Sequence, residues 1–393
     1  MGIFQRLFKQ RSSKVFLNIS KSESGSNYNS RSEIINSIAD RIATQVSKLQ
    51  PQVIRNNGNG TVIKNDNLAR LLSTRPCKEL NTSDWLYKIA YQAVINGDGF
   101  AIICYNDDYS EIKAICPVIC SNYRIFEDKG ILFFRFIWSY DCKEYTLPYD
   151  FIIHLKDRPG TKRFIGSNPN DDLSTSVDML ETTYNGIKNI VKNSANLRGY
   201  LKFNNFIDED DLKETIKNFQ EAYMTSENEG GIAGIGSEYE FKELSQTQNS
   251  IPTTQLSFFK TNIYDYFGVS EKIIRGEYSE NEWNNFYETK IEPIAMKLSL
   301  EFTYKVFSER ERGFGNKIVF IANKLQYATT QTKMTVMQTL FDRGFITINQ
   351  GLEMMDMPSL GEEGDVRMVS LNYVKTDDQS LYQTGKENNN ASN

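Results

Sequence analysis

Three groups of residues in this chain have the types that chemistry uses. Asp208, Glu209, Asp210 and Asp211 form a contiguous acidic run that could hold a divalent cation. Contiguous carboxylates point around a helix rather than at one ion, and the positive end of a helix selects acidic side chains in its first turn. Gly231, Gly234 and Gly236 in GGIAGIGSEYEF are spaced somewhat like a nucleotide loop. Their order is wrong, and a strand follows where a phosphate loop needs a helix, so a hairpin is expected. His154, the one histidine, lies in the apolar run Phe151 to Leu155, with no serine or cysteine motif addressed to it. A structural strand histidine is expected there. No GxxxxGK[ST] occurs, and no catalytic, cofactor-binding or metal-ligating set is expected, nor any cofactor.

Charge and composition narrow the classes further. The net charge is −5, whereas proteins that grip nucleic acid through phosphates are usually basic. A chain of 393 residues with 39% hydrophobic content can bury two or three domains. No apolar run approaches the roughly 20 residues that span a bilayer, and MGIFQRLFKQR lacks a signal peptide's apolar segment. A cytoplasmic protein with no membrane partner is expected. Gly2 is no myristoylation site, since Arg6 stands where Ser or Thr is required. Five cysteines without a CxxC pair fit reduced thiols.

The elements that must position these residues read as follows. Residues 1–30 hold Arg6, Lys9, Arg11 and Lys14 and then a Ser/Asn/Gly-rich run, which predicts a flexible basic tail. Ile34, Ile35, Ile38, Ile42 and Val46 predict a helix, and QPQVIRNNGNGTVIKN a hairpin about its Asn-Gly turn. Thr82 or Ser83 is expected to cap a helix through Trp85, Ile89 and Ala93, ahead of the strand Phe100 to Tyr105. Short strands fill 111–155. A helix over 174–198 carries Val177, Leu180, Tyr184, Ile187 and Val191 on one face. The segment 199–247 reads as strand, acidic-started helix through Leu212, Ile216 and Phe219, hairpin and strand.

A second long helix is predicted by Leu256, Phe259, Ile263 and Phe267, with Gly268 as its C-terminal cap. Ser279 and Glu282 then stand in capping-box register, opening a helix through Phe286, Ile291, Ile294, Leu298 and Phe302 that Pro293 should bend. After the strand KIVFIANKL come a helix from about 330 to 343, a turn at Gly344, and a short helix capped by Thr347 and Gln350. That pair would present Asn349, Gln350, Glu353 and Asp356 to DNA, with no Lys or Arg, so a packed helical pair is expected rather than a groove reader. The polar end from Lys375 predicts disorder.

GVSEKIIRG followed by NEWNNFYETKIEPIAMKLSLEF resembles the signature stretch of the phage portal protein family. LARLLSTRPCKELNTSDWLYKIAYQAVINGDGFAII, 68 to 103, is similar to the family's N-terminal block, and LFDRGFITINQGLEMMDMPSL, 340 to 360, to its C-terminal block. Members usually carry proline after the glycine-valine pair, where this chain has Ser270 and Glu271. The resemblance implies an α+β portal-type subunit: a wing (31–173 and 282–328), two stem helices (174–198 and 248–268) and an α/β clip (199–247). It also implies a tunnel loop (269–281), crown-like helices (329–360) and a C-terminal tail (361–393).

The resemblance further implies a cyclic ring of around twelve copies at one capsid vertex, assembled in the host cytoplasm, through which double-stranded DNA passes non-specifically. Its partners would be the terminase large subunit, which brings the ATPase, the head–tail connector proteins and the major capsid protein. The tunnel loop would bring Lys272, Arg275, Glu277 and Tyr278 toward DNA, or set them against the adjacent subunit. Asp208, Glu209, Asp210 and Asp211 would face the clip's docking partners. The rival readings are a metal-dependent enzyme acting on nucleic acid, and a monomeric capsid adaptor.

Overall fold

The computed structural model describes residues 21–25, 32–56, 60–139, 142–160, 162–194, 199–203, 208–223, 239–243, 253–322, 330–355 and 357–369. Strand β1 (Lys21–Gly25) falls where composition predicts a flexible tail, yet it pairs antiparallel with β6 (Cys120–Asp128). Ladder bonds between backbones hold it, and composition does not report those. Helix α1 (Glu33–Val46) follows from its periodicity: Ile35, Ile38, Ile42 and Val46 are all fully buried. The hairpin β2 (Gln50–Asn56) and β3 (Thr61–Ile63) forms about the Asn-Gly segment, and α2 (Asn67–Thr74) follows. Helix α3 (Thr82–Asn96) packs on α1 and buries Trp85, Ile89 and Ala93. Its cap is Asn81, one residue before the expected Thr82 or Ser83. The Asn81 side chain accepts from the Asp84 N–H at 2.8 Å, while the Thr82 hydroxyl donates to the Leu72 carbonyl at 2.7 Å.

The expected strand-rich unit divides into two antiparallel sheets. One has the order β5-β4-β9, from β4 (Asp98–Tyr105), β5 (Ile112–Val118) and β9 (Ile152–Lys156). The other has the order β1-β6-β7-β8, with β7 (Ile131–Trp138) and β8 (Glu144–Pro148). Between them lies an aromatic cluster that includes Phe100, Tyr123, Phe134, Phe136 and Phe164. Helix α4 (Pro169–Asp172) then leads into α5 (Ser174–Ser194), the first of the long helices.

Beyond α5, β10 (Gly199–Phe203) pairs antiparallel with β11 (Tyr239–Glu243), and α6 (Glu209–Tyr223) lies between them in sequence. The expected glycine-rich hairpin lies outside the described residues. Helix α7 (Thr253–Phe267) packs along α5 and is joined through the one-turn helix α8 (Glu271–Arg275) to α9 (Glu280–Phe286). Helical backbone continues through a π turn, Tyr287–Ile291, into α10 (Glu292–Val306). Pro293 therefore sits in the first turn of α10, and the wider turn before it accommodates the missing N–H without breaking the helix. The predicted face is intact across this junction: Phe286, Ile291, Ile294, Leu298 and Phe302 are all buried.

Helix α11 (Glu309–Gly313) precedes β12 (Asn316–Ile321), which pairs with β2 and ties the chain's later part to its beginning. In the last unit the two expected helices form and pack together, but a strand replaces the expected turn at Gly344. Between α12 (Thr330–Asp342) and α13 (Ile348–Met354), residues Arg343–Thr347 form β13, which pairs antiparallel with β14 (Arg367–Val369). Three residues of the segment read as a C-terminal tail thus complete a small ladder. Among the described residues, no helix is long and apolar enough to cross a membrane.

Candidate functional site

The connection between α7 and α9 is built from local rules that can be followed bond by bond. Helix α7 ends in a Schellman turn: the Val269 N–H donates to the Tyr264 carbonyl at 3.0 Å and the Gly268 N–H to the Asp265 carbonyl at 3.1 Å. Gly268 has φ +67°, which a residue lacking Cβ adopts freely. Ser270 caps α8 by accepting from the Ile273 N–H at 3.4 Å. Gly276, at φ +80°, ends α8, and the Glu277 N–H returns to the Lys272 carbonyl. Two left-handed glycines thus enclose one helical turn. Ile273 is buried, and the Arg41 guanidinium donates to the Ile274 carbonyl at 2.6 Å, fixing the segment to α1.

On this frame stand the residues singled out from sequence. Lys272 is exposed and its ammonium lies 2.6 Å from Glu282 Oε1; Arg275, also exposed, lies 2.6 Å from Glu271 Oε1. Glu282 is the capping-box residue of α9, accepting from the Ser279 N–H at 2.9 Å. The Lys272 ammonium, then the Ser279 N–H and hydroxyl, hold its carboxyl down at about 2. Glu277 is exposed. Tyr278 is half-buried, its ring 4.9 Å from that of Trp283, so it packs on the core. From 271 to 282 there are four carboxylates and two cations, a net acidic segment whose cations already have partners.

The stem pair of the sequence reading corresponds to α5 and α7. Leu180, Ile263 and Phe267 are buried, whereas Met179, Tyr184 and Phe258 are exposed. The pair is therefore covered at one end and open farther along. The covered end is tied down by Tyr266, which donates to Asp172 Oδ2 at 2.6 Å and carries the Arg158 guanidinium 3.9 Å from its ring centre. Asp208, Asp210 and Asp211 are exposed at the start of α6, and Lys213 lies 3.9 Å from Asp210. Among the described residues, no group of three or more histidine, cysteine or acidic side chains is arranged to hold a metal ion.

His154 is buried in a polar network. Its Nε2–H donates to Asp98 Oδ1 at 2.7 Å, and its Nδ1 accepts from the Tyr149 hydroxyl at 2.7 Å. Burial holds the imidazole below its ordinary value, and that neutral tautomer uses both ring nitrogens. Asp98 also accepts from the Tyr123 hydroxyl at 2.6 Å and the Gly166 N–H at 2.8 Å. With side-chain exposures of 0 and 1%, His154 and Asp98 tie β9 to β4 inside the core.

Sequence reasoning missed the lysines of the long helix. Lys290 Nζ lies 3.0 and 3.1 Å from the two Asp157 oxygens, Lys297 donates to the Lys156 and Asp157 carbonyls, and Lys305 to the Tyr149 carbonyl. Burial pushes the ammonium groups of Lys297 and Lys305 below their ordinary range. The spacing of seven and eight residues places the three on one side of the helix, a signal present in the sequence. Their partners are not readable there, because they lie 133 or more positions away.

Comparison with known proteins joins this geometry to the sequence resemblance. The "Probable portal protein" of Lactococcus phage p2 and that of phage SK1 are each 24% identical over 362 residues, covering 87% of this chain and 85% of theirs. Among solved structures, the neck of an empty gene transfer agent (GTA) particle, computed with C6 symmetry, aligns with TM-score 0.58 and 11% identity, over 87% of this chain and 97% of that one. An HK97-family phage portal protein from Corynebacterium diphtheriae aligns with TM-score 0.51 and 9% identity, over 78% of this chain and 99% of that one. At such identities these structures speak for the fold. The family model described as "Phage portal protein" matches residues 33–356, from the start of α1 to just beyond α13. With that match spanning most of the described fold, the chain belongs to the phage portal protein family.

Proposed function

We propose that the chain is the subunit of a ring of around twelve copies at one capsid vertex, forming the channel through which double-stranded DNA is packaged and ejected. The observation that carries this reading is the family match over residues 33–356. A fold shared with particle necks computed with C6 and C12 symmetry supports the ring. In this reading 31–173 and 282–328 are the wing, 174–198 and 248–268 the stem, 199–247 the clip and 329–360 the crown. The role is structural, with no covalent chemistry of its own. The ATPase belongs to the terminase large subunit, which docks at the clip around Asp208–Asp211 and gives way to the head–tail connector; the major capsid protein holds the rim.

A cyclic, head-to-tail assembly needs apolar surface that a lone subunit leaves open. Met296, Leu300 and Tyr304 recur every four residues along α10 and are 59, 69 and 61% exposed. The exposed ends of α5 and α7 add to this surface. The segment 269–281 is the channel constriction, where Lys272 and Arg275 exchange carboxylate partners for passing phosphates and Glu277 keeps residence short, with Tyr278 as the aromatic brace behind them.

Electron micrographs and mass measurement of the purified protein test the assembly. Annuli with a central hole, near 542 kDa for twelve copies of the 45.2 kDa chain, are expected. Compact monomers would overturn it in favour of a capsid adaptor. Replacing Lys272 and Arg275 by alanine should leave rings intact and impair packaging; particles that filled normally would remove the constriction from this segment.

A further inference from the structure

Three of the five cysteines converge at one edge of the β5-β4-β9 sheet. Cys77 lies in the turn between α2 and α3, and its Sγ is 2.9 Å from Sγ of Cys116 on β5, 39 positions later. Cys104, on β4, lies two positions from Ile102, the residue paired with Cys116 across the ladder. The backbones are already docked beside this contact: the Ile115 N–H donates to the Pro76 carbonyl at 2.7 Å. Each of those residues immediately precedes one of the two cysteines, so a covalent link asks the two sulfurs to close from 2.9 Å to about 2.05 Å. β5 is an edge strand of its sheet and Cys116 is only half-buried, so a small reagent can reach it.

We propose that Cys77 and Cys116 form an oxidative modification site, a dithiol that small-molecule oxidants convert to an intramolecular disulfide stapling the α2–α3 turn to β5. In the reaction each thiol gives up its proton, one S–S bond forms, and two electrons pass to the oxidant. With diamide, its N=N bond takes up those two electrons and two protons and becomes a hydrazine. The site goes beyond the ring reading and does not depend on it.

The chemistry of the cluster sets the rate. The hydrogen bond to Cys116 and burial push the Cys77 thiol up, and the neighbouring Cys104 thiol together with burial pushes Cys116 up to about 12. The attacking species is the thiolate, so oxidation is slow at neutral pH and quickens about tenfold per pH unit below that value.

The test uses the full chain carrying Cys142→Ser, which removes the exposed thiol that would otherwise link molecules to each other. After diamide at pH 8.5 and alkylation, peptide mapping should find Cys77 joined to Cys116 and Cys120 still free. The thermal midpoint should rise by roughly 5 °C, because the bridge restricts the unfolded chain, and dithiothreitol should reverse the rise. Recovery of both as free thiols, linkage of either to Cys104 instead, or only adducts with the reagent would overturn the proposal.

Discussion

Two sets of ion pairs in this protein use the same chemical groups at opposite depths. Under α10, Lys290 meets Asp157 with their side chains 11 and 4% exposed. At α8, Lys272 meets Glu282 and Arg275 meets Glu271 in the open, with side-chain exposures from 35 to 61%. A buried pair cannot exchange partners, because water and other ions do not reach it; removing one member strands the other. An exposed pair is screened and contributes little to stability, so its members remain available to a passing charge. Near the start of α10, charge therefore locks the long helix to the end of β9, while at α8 it stays on the surface, open to solvent.

The sharpest way to break that comparison is at the deepest polar group. Asp98→Ala leaves the Tyr123 hydroxyl, the His154 Nε2–H and the Gly166 N–H without their acceptor inside the core. A loss of about 3–5 kcal/mol is expected in denaturant unfolding. A variant within 1 kcal/mol of the parent would mean that water reaches this network. Next comes Lys290→Ala, which strands the Asp157 carboxylate. Lys297 lies close enough to compensate in part, so about 2–3 kcal/mol is expected by the same measurement.

What was legible in the sequence divides along the same line. Local rules were readable: the Ser279–Glu282 and Thr347–Gln350 capping boxes, the Gly268 cap, and the apolar faces of α1, α7 and α10 all form from residues within a few positions of each other. Long-range pairings were not. β1 gains its place from a partner a hundred residues on, and β14 from one twenty residues back, and both lie in segments whose composition reads as tail. Asp98 and Lys290 were silent for the same reason, since the groups they bond come together only in the finished fold. Of the candidate site, Lys272, Arg275 and Glu277 are exposed, as charged residues in and just after one helical turn usually are. Tyr278 is turned onto Trp283, a contact that the aromatic content of EYSENEW does not by itself specify.

A smaller effect probes the frame of that segment. Gly268→Ala places a Cβ in open space, so the cost is that of the left-handed backbone alone, about 1 kcal/mol. Denaturation should show it without loss of fold, and a cost several-fold larger would mean the Schellman turn is under tertiary strain.

The smallest effect on stability is expected at the exposed pair itself. Lys272→Ala should lower the denaturation midpoint at neutral pH only slightly, and it should move the Glu282 titration upward in a carboxylate-resolved NMR measurement. The folded carboxyl sits near 2 against an ordinary value of 4.5. Because the folded state depresses it, the associated stability is present above 4.5 and is lost as pH falls toward 2. In the variant that window should narrow from its acidic end, not close, since the Ser279 N–H and hydroxyl still donate to the carboxylate. An unmoved titration would mean that Lys272 is already free of Glu282 in solution. The exposed pair would then cease to be the counterpart of the buried one.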